Sequence, residues 1–172
     1  MLLVGVLLAV AVLVVGALGW RLISGGGTQE VRPAASAFDP FGTEGEKDDQ
    51  ARLATDDDPA TSWPTETYQD RDLAAAKGGV GLALDLGKAR GADVLEVQSP
   101  TADWDAVAYV FDELPDGPLD TWGEPVAGAE GINGDLRLDL GGAEGRVVLL
   151  WITRVGTEGR VEVADAVLEV SR

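Results

Sequence analysis

Residues 53–68 hold the side chains best suited to chemistry. Asp56, Asp57 and Asp58 are consecutive carboxylates, and the hydroxyl of Thr61 follows three residues after the last of them. Adjacent carboxylates repel one another, so a fold keeps them either for solubility or to surround a cation. A tight turn rich in oxygen ligands suits Ca²⁺, which takes roughly six to eight of them. The residues alone leave two interpretations, a solvated acidic loop and a calcium site.

The composition excludes several kinds of catalytic site. The 172 residues include no Cys and no His, which rules out a Ser-His-Asp triad, a thiol nucleophile, a His or Cys metal cage and any disulfide. A GxSxG elbow and a phosphate-binding glycine loop are also missing from the sequence. A carboxylate-pair hydrolase is compatible with the composition, but among 30 Asp and Glu the proximity of two acids carries no information. We therefore predict that the protein is not an enzyme.

The charge argues against nucleic acid as a partner. The 30 acidic side chains outnumber 13 Lys and Arg, for a net charge of -17, whereas neutralising phosphates needs clustered Lys and Arg. Such a balance fits a solvated surface or one that binds cations.

Two tryptophans are candidates for ligand contact. Exposed aromatic rings stack on the faces of sugar rings, while carboxylates and amides bind the hydroxyls. Trp104 and Trp122 lie in acidic, turn-rich surroundings, so we predict that both are exposed and ligand-binding. Trp151 lies inside the most apolar segment of the chain and is predicted to be core. Isolated exposed aromatic residues without a ligand are the alternative for the first two.

The N-terminal segment predicts a membrane anchor. Residues 1–20 carry no charged or polar side chain, and the first ionisable one is Arg21. A helix of this length spans roughly 30 Å, the thickness of the hydrocarbon core of a bilayer. We predict a transmembrane signal anchor over residues 1–21 and a flexible linker over residues 22–33. A cleavable signal peptide is the alternative, with a small-residue cleavage site at residues 17–19, although a basic n-region is missing.

The sequence gives little evidence for the orientation of the anchor in the membrane. Arg21 alone would place the C-terminal side in the cytoplasm under the positive-inside rule. A long acidic domain can translocate regardless of a single flanking charge. We therefore predict a single-pass protein of the cell membrane, with residues 22–172 outside the cytoplasm.

From Ala34 onward the pattern is that of short strands. Apolar runs alternate with Gly, Pro and Asp, and no stretch shows a sustained helical period. Residues 147–152 are apolar throughout, as expected of a central strand covered on both faces. Turn chemistry is explicit at residues 85–88, 114–118 and 133–134, and residues 71–78 include a single helical turn. This predicts an all-β antiparallel sandwich over residues 34–172, with strands at Ala34–Phe38, Gly81–Leu86, Val94–Gln98, Ala106–Phe111, Leu136–Leu140, Val147–Thr153 and Val163–Val170.

Several segments resemble one family. Residues 54–63, ATDDDPATSW, resemble the A-x-D-G-D/N-x-x-T-x-W signature of discoidin-type (F5/8 type C, galactose-binding-like) domains, with Asp57 in place of the glycine. Residues 79–87 resemble the family's G-x-x-L-x-L-D-L-G strand, and residues 147–153 and 163–167 resemble its closing strands. The resemblance implies a jelly-roll-like sandwich with Trp63 in the core.

Within that family, the chain from Trp20 to its end is most similar to the extracytoplasmic C-terminal segment of actinobacterial MviN-type (lipid II flippase-like) proteins. The flippase and kinase parts of those proteins are absent here, so neither transport nor phosphotransfer carries over. The resemblance implies a structural Ca²⁺ site that joins distant parts of the chain, formed by Asp56, Asp58, Thr61 and Asp165.

These observations predict a membrane-anchored, extracytoplasmic, non-catalytic binding module. Its ligand, implied by the resemblance, is a cell-wall glycan or a lipid-linked precursor. The alternative is a structural or regulatory ectodomain that contacts a membrane protein partner, such as a flippase or kinase, and binds no sugar. Exposure of Trp104 and Trp122 around a concave site would favour the first, and burial of both rings the second.

Overall fold

The computed structural model describes residues 27–43 and 45–172 as an antiparallel β-structure. Every strand pairing within these residues is antiparallel, which confirms the predicted all-β class. Short 3-10 helices occupy Asp48–Ala54 and Leu119–Thr121. Within the described residues, the strands and the one short α-helix are β1 Thr28–Val31, β2 Ala34–Phe38, β3 Trp63–Pro64, α1 Leu73–Ala76, β4 Val80–Gln98, β5 Ala102–Phe111, β6 Ala127–Asn133, β7 Leu136–Arg154, β8 Glu162–Val163 and β9 Asp165–Ser171.

The predicted membrane anchor, residues 1–21, lies outside the described residues. Over residues 27–43 and 45–172, none of the helices has the length and apolar character needed to cross a membrane.

Two long, bent strands organise the domain. β4 and β7 each run for 19 residues and pair with each other along most of their length. The separate strands predicted in each are two halves of one strand, and the predicted turn at residues 85–88 is wrong. The register shifts between Asp85 and Arg90, and Gly87 has a φ of 76° at this point. Glycine reaches a positive φ without steric cost, so the chain bends there while the strand continues.

The bend folds one continuous sheet into a sandwich. The first half of β4 pairs with β2 and with the second half of β7, while the second half of β4 pairs with β9 and with the first half of β7. Side chains from both halves meet in the main core, among them Leu82, Leu95, Leu138, Leu150 and Leu168. This is the packing predicted by the alternation of apolar residues along the strands.

A second apolar cluster covers the outer face of the sheet. Along residues 147–152, Val148, Leu150 and Ile152 belong to the main core, whereas Val147, Leu149 and Trp151 belong to the outer cluster. The prediction of a central strand covered on both faces is therefore confirmed. The cover comes from the connection over residues 112–126, which contributes Leu114, Leu119 and Trp122.

The sheet begins earlier than the sequence indicated. Thr28–Val31 forms β1 and pairs with β9, from Thr28 opposite Ser171 to Val31 opposite Leu168. The predicted flexible linker over residues 22–33 is therefore wrong from Thr28 onward. Backbone hydrogen bonds to the edge of β9 hold this segment, and a polar, glycine-preceded sequence gives no sign of them.

Two local predictions are confirmed. Leu73–Ala76 forms one turn of α-helix, and its N-terminus is capped by the Asp72 carboxylate, which accepts a hydrogen bond from Ala75 N at 3.0 Å. Gly134 lies in the turn that follows Asn133 and connects β6 to β7, and it has a φ of 86°.

Candidate functional site

The two tryptophans predicted to contact a ligand are buried. Trp104 is 0% exposed in the main core, and Trp122 is 7% exposed in the outer cluster. The prediction that they are exposed is therefore wrong. In β5 the alternation of side chains puts Asp103 and Asp105 on the face opposite Trp104, so acidic neighbours accompany an inward ring. Trp122 packs edge-on against Trp151, with the ring centroids 4.9 Å apart.

A groove of about 350 Å³ lies beside the outer cluster, where the connection after β2 meets the segment after β3. Its lining combines aromatic, acidic and basic side chains, principally Asp39, Phe41, Glu46, Glu66, Tyr68 and Lys77. Another depression, of about 270 Å³ and near Thr101 and Arg160, has no aromatic side chain in its lining. The first groove therefore has the chemistry that sugar binding needs.

Phe41 is the exposed aromatic of this groove. Its exposed fraction is 37%, in contrast to the buried tryptophans. The ring is held in place by stacking on Trp122 at a centroid distance of 5.8 Å and by an edge contact with Trp151 at 6.2 Å. Phe41 was not among the residues predicted to contact a ligand. Its signal was an aromatic residue between proline and glycine in the turn directly after a strand.

Asp39 supplies a buried carboxylate next to that ring. Its side chain is 5% exposed, and Lys77 Nζ lies 2.8 Å from both of its oxygens. Only the contact to Oδ2 is aligned as a hydrogen bond, so Oδ1 has no hydrogen-bond donor among the described residues. A Cβ at Gly42 would overlap the Asp39 carboxylate, so a larger residue there would displace that side chain.

Glu46 is the centre of the polar network below the groove. It is 0% exposed, and its carboxylate accepts hydrogen bonds from Glu66 N at 2.7 Å and from the Tyr68 hydroxyl at 2.6 Å. Its backbone carbonyl accepts the indole N–H of Trp63 at 2.8 Å. The network thus ties the groove to the signature tryptophan, which is fully buried as predicted.

The same contacts perturb the titration of these groups. Burial raises the pKa of Glu46 above its ordinary value, although the hydrogen bonds from Tyr68 and Glu66 oppose the shift. Burial and the neighbouring Glu46 raise the pKa of Tyr68 far above its ordinary value, so its hydroxyl stays a donor. Lys77 Nζ lies 3.3 Å from this hydroxyl and connects it to Asp39.

The acidic signature loop is closed on itself by hydrogen bonds. Thr61 Oγ1 lies 3.0 Å from both carboxylate oxygens of Asp56. Asp58 N donates to Asp56 Oδ1 at 3.1 Å, and Ala60 N donates to Asp58 Oδ1 at 3.0 Å. Asp57 adopts the left-handed conformation of the glycine it replaces, with a φ of 67°. These contacts are those of a stable, solvated turn.

Asp165, the predicted fourth ligand of the calcium site, points into an ion pair instead. It is 7% exposed, and Arg32 Nη1 lies 2.5 Å from its Oδ1. Within residues 27–43 and 45–172, no group of three or more acidic side chains is arranged to hold a metal ion. Asp165 is thus engaged by Arg32, while Asp56, Asp58 and Thr61 bond to one another in the loop, and binding of calcium stays a prediction.

Comparisons with known proteins place the fold. No family model and no curated protein matches the chain. A chitosan-binding module of a chitosanase/glucanase from Paenibacillus sp. IK-5 is similar, with a TM-score of 0.59 and 16% identity over 83% of this chain and 96% of that one. A second module of that enzyme, in complex with chitotriose, has a TM-score of 0.58 and 15% identity over 83% and 98% of the two chains.

A family 32 carbohydrate-binding module of Clostridium perfringens NanJ, in complex with galactose, has a TM-score of 0.55 and 16% identity over 82% of this chain and 99% of that one. The chain has the fold of these carbohydrate-binding modules. A family 89 glycoside hydrolase from Clostridium perfringens also matches, with a TM-score of 0.57 and 16% identity, over 83% of this chain. This chain spans only 15% of that hydrolase.

Proposed function

We propose that the protein is a non-catalytic glycan-binding module and that the groove beside Phe41 is its binding site. The observation that carries this proposal is the exposed Phe41 ring, fixed on Trp122, next to the buried Asp39 carboxylate. The fold supports it, since two of the similar modules are in complex with galactose and with chitotriose.

The groove provides the two kinds of contact that bind a sugar. The Phe41 ring would take the apolar face of a pyranose, and the outer cluster holds that ring in place before the ligand arrives. Asp39 holds Lys77 in place at the groove wall, since Lys77 Nζ lies 2.8 Å from both of its carboxylate oxygens. Lys77 and Glu66 add a donor and an acceptor at the same wall.

Asp39 and Glu46, the buried acids of the groove, are arranged for structure and not for hydrolysis. Asp39 is paired with Lys77, and both oxygens of Glu46 accept hydrogen bonds from Glu66 N and Tyr68. A glycosidase needs one protonated acid and one free carboxylate on opposite sides of the scissile bond. These engaged acids support binding without catalysis.

The proposal includes a location at the outer face of the cell membrane. With an anchor over residues 1–21 and a strand that starts at Thr28, residues 22–27 would be the whole connection. Six extended residues reach about 20 Å, so the domain would stay close to the bilayer surface. This short reach favours a cell-wall glycan or a lipid-linked precursor at the membrane as the ligand, in keeping with the resemblance to the MviN-type segment.

The test compares two exposed apolar residues. The full-length protein in detergent would be assayed for binding to insoluble peptidoglycan and to chitotriose, with Phe41→Ala as the variant. Val126→Ala is the matched control, since Val126 is 42% exposed and is not part of the groove lining. We expect Phe41→Ala to lower affinity at least about tenfold, as for loss of one stacking platform, and Val126→Ala to leave it unchanged. Equal binding by both variants would refute the groove as the site.

A second function has one observation in its favour. The alternative function is that of an ectodomain that contacts a membrane protein partner and binds no sugar. That function predicted the burial of Trp104 and Trp122 that the structure shows. In that case the full-length protein would bind neither glycan, and chemical cross-linking in intact cells would attach it to a membrane protein through the same Phe41 surface.

A further inference from the structure

Arg32 joins three distant parts of the chain. It lies between β1 and β2, and its two terminal nitrogens contact two different carboxylates. Nη1 lies 2.5 Å from Asp165 Oδ1 at the start of β9, and Nη2 lies 2.6 Å from Asp57 Oδ1 in the signature loop. A planar guanidinium suits this task because its nitrogens donate in fixed, different directions.

The two carboxylates differ in what they would lose without Arg32. The Asp165 side chain is 9% exposed, whereas that of Asp57 is 75% exposed. A buried charge without a partner is strongly destabilising, but an exposed one is solvated by water. The contact to Asp165 therefore carries most of the effect, and the contact to Asp57 positions the loop.

The contact to Asp57 has a second feature. Asp57 occupies the position where the discoidin-type signature has glycine, and it keeps the left-handed backbone of that glycine. The residue that departs from the signature is thus the one that gives the loop a carboxylate directed at Arg32. A bare loop with glycine at this position would offer the guanidinium no side chain.

We propose that the Arg32 guanidinium supplies the positive charge at this position and performs the structural role that the family resemblance implied for Ca²⁺. It neutralises Asp165 and fastens the β1–β2 corner and the loop at residues 55–61 to the last strand. A Ca²⁺ ion at Asp165 would have to displace a positive group that is already attached to the chain. Because the guanidinium is tethered, it binds without the cost of bringing in a free ion. The domain is therefore stable without a divalent metal.

The test uses thermal unfolding of the full-length protein in detergent, with millimolar Ca²⁺ or with EDTA. We expect the same Tm for the wild type under both conditions. Arg32→Met, which keeps the apolar stem and removes the charge, should lower Tm by about 5–10 °C. A rise of several degrees with Ca²⁺ in the wild type would overturn the proposal, and so would an unchanged Tm in Arg32→Met.

A double variant separates charge compensation from packing. Asp165→Asn removes the buried charge, so adding it to Arg32→Met should recover part of the lost Tm. If Arg32→Met does not fold, the single variant Asp165→Asn should still fold, because Arg32 is partly exposed and tolerates loss of its partner. Asp57→Gly restores the signature residue and should cost less than Arg32→Met. A double variant that is less stable than Arg32→Met would contradict the assigned role.

Discussion

Replacing Trp122 with alanine distinguishes the structure from the sequence prediction most sharply. An exposed ligand-binding ring could be removed with little loss of stability. In the structure Trp122 is 7% exposed and contacts the aromatic rings of Phe38, Phe41, Tyr109 and Trp151 at centroid distances of 5.8, 5.8, 5.7 and 4.9 Å. Truncating a buried tryptophan costs about 3–5 kcal/mol, and these ring pairs place the expected value at the upper end of that range.

The assay for Trp122→Ala is equilibrium unfolding in urea, followed by tryptophan fluorescence. With an m-value of about 2 kcal/mol/M, the midpoint should fall by about 2 M. The same variant should weaken glycan binding, because Trp122 supports one face of Phe41. A midpoint within about 0.3 M of the wild type would refute the burial of Trp122 and the reasoning built on the outer cluster.

Three further predictions concern the groove and the membrane. Burial raises the folded-state pKa of Glu46, so its stabilising contribution is present below the unfolded value of about 4.3 and is lost as the pH rises through the folded value. Glu46→Gln should therefore gain Tm relative to the wild type as the pH rises above about 4.3, and a pH-independent difference would contradict this. Gly42→Ala should weaken glycan binding because the added Cβ would displace the Asp39 side chain. Unchanged affinity would show that the turn tolerates a Cβ. Protease added to intact spheroplasts should remove residues 22–172, and protection until lysis would reverse the predicted orientation.

Local patterns predicted much of the fold. Alternation in residues 82–86 and 136–140 identified strands, and the unbroken apolar run at residues 147–152 identified the central one. Such patterns succeed because side chains alternate faces along any strand, wherever its partner lies. The signature loop was also recognisable, since its turn is made by contacts among Asp56, Asp58 and Thr61 within a few residues.

The site depended on longer-range contacts. Phe41 is exposed because Trp122, 81 positions later, already fills the space beneath it, and no local feature of either residue reveals this. The acidic neighbours of Trp104 led to the prediction that its ring is exposed. In the structure, the alternation of side chains along β5 directs that ring into the core. Exposure is a property of the assembled surface, so the residues predicted for binding and those that line the groove are different.

The sequence by itself determined the all-β class, the absence of Cys and His chemistry, and the core position of Trp151, whereas the core position of Trp63 was implied by the resemblance to discoidin-type domains. These follow from composition and from the two-residue period of a strand, which act over short distances. Only the tertiary structure decided that β4 and β7 bend without breaking, that β1 belongs to the sheet, and that Arg32 takes Asp165 as its partner. Arg32 and Asp165 are separated by 133 positions, and an ion pair across such a distance forms only when the fold has brought both strands to the same corner.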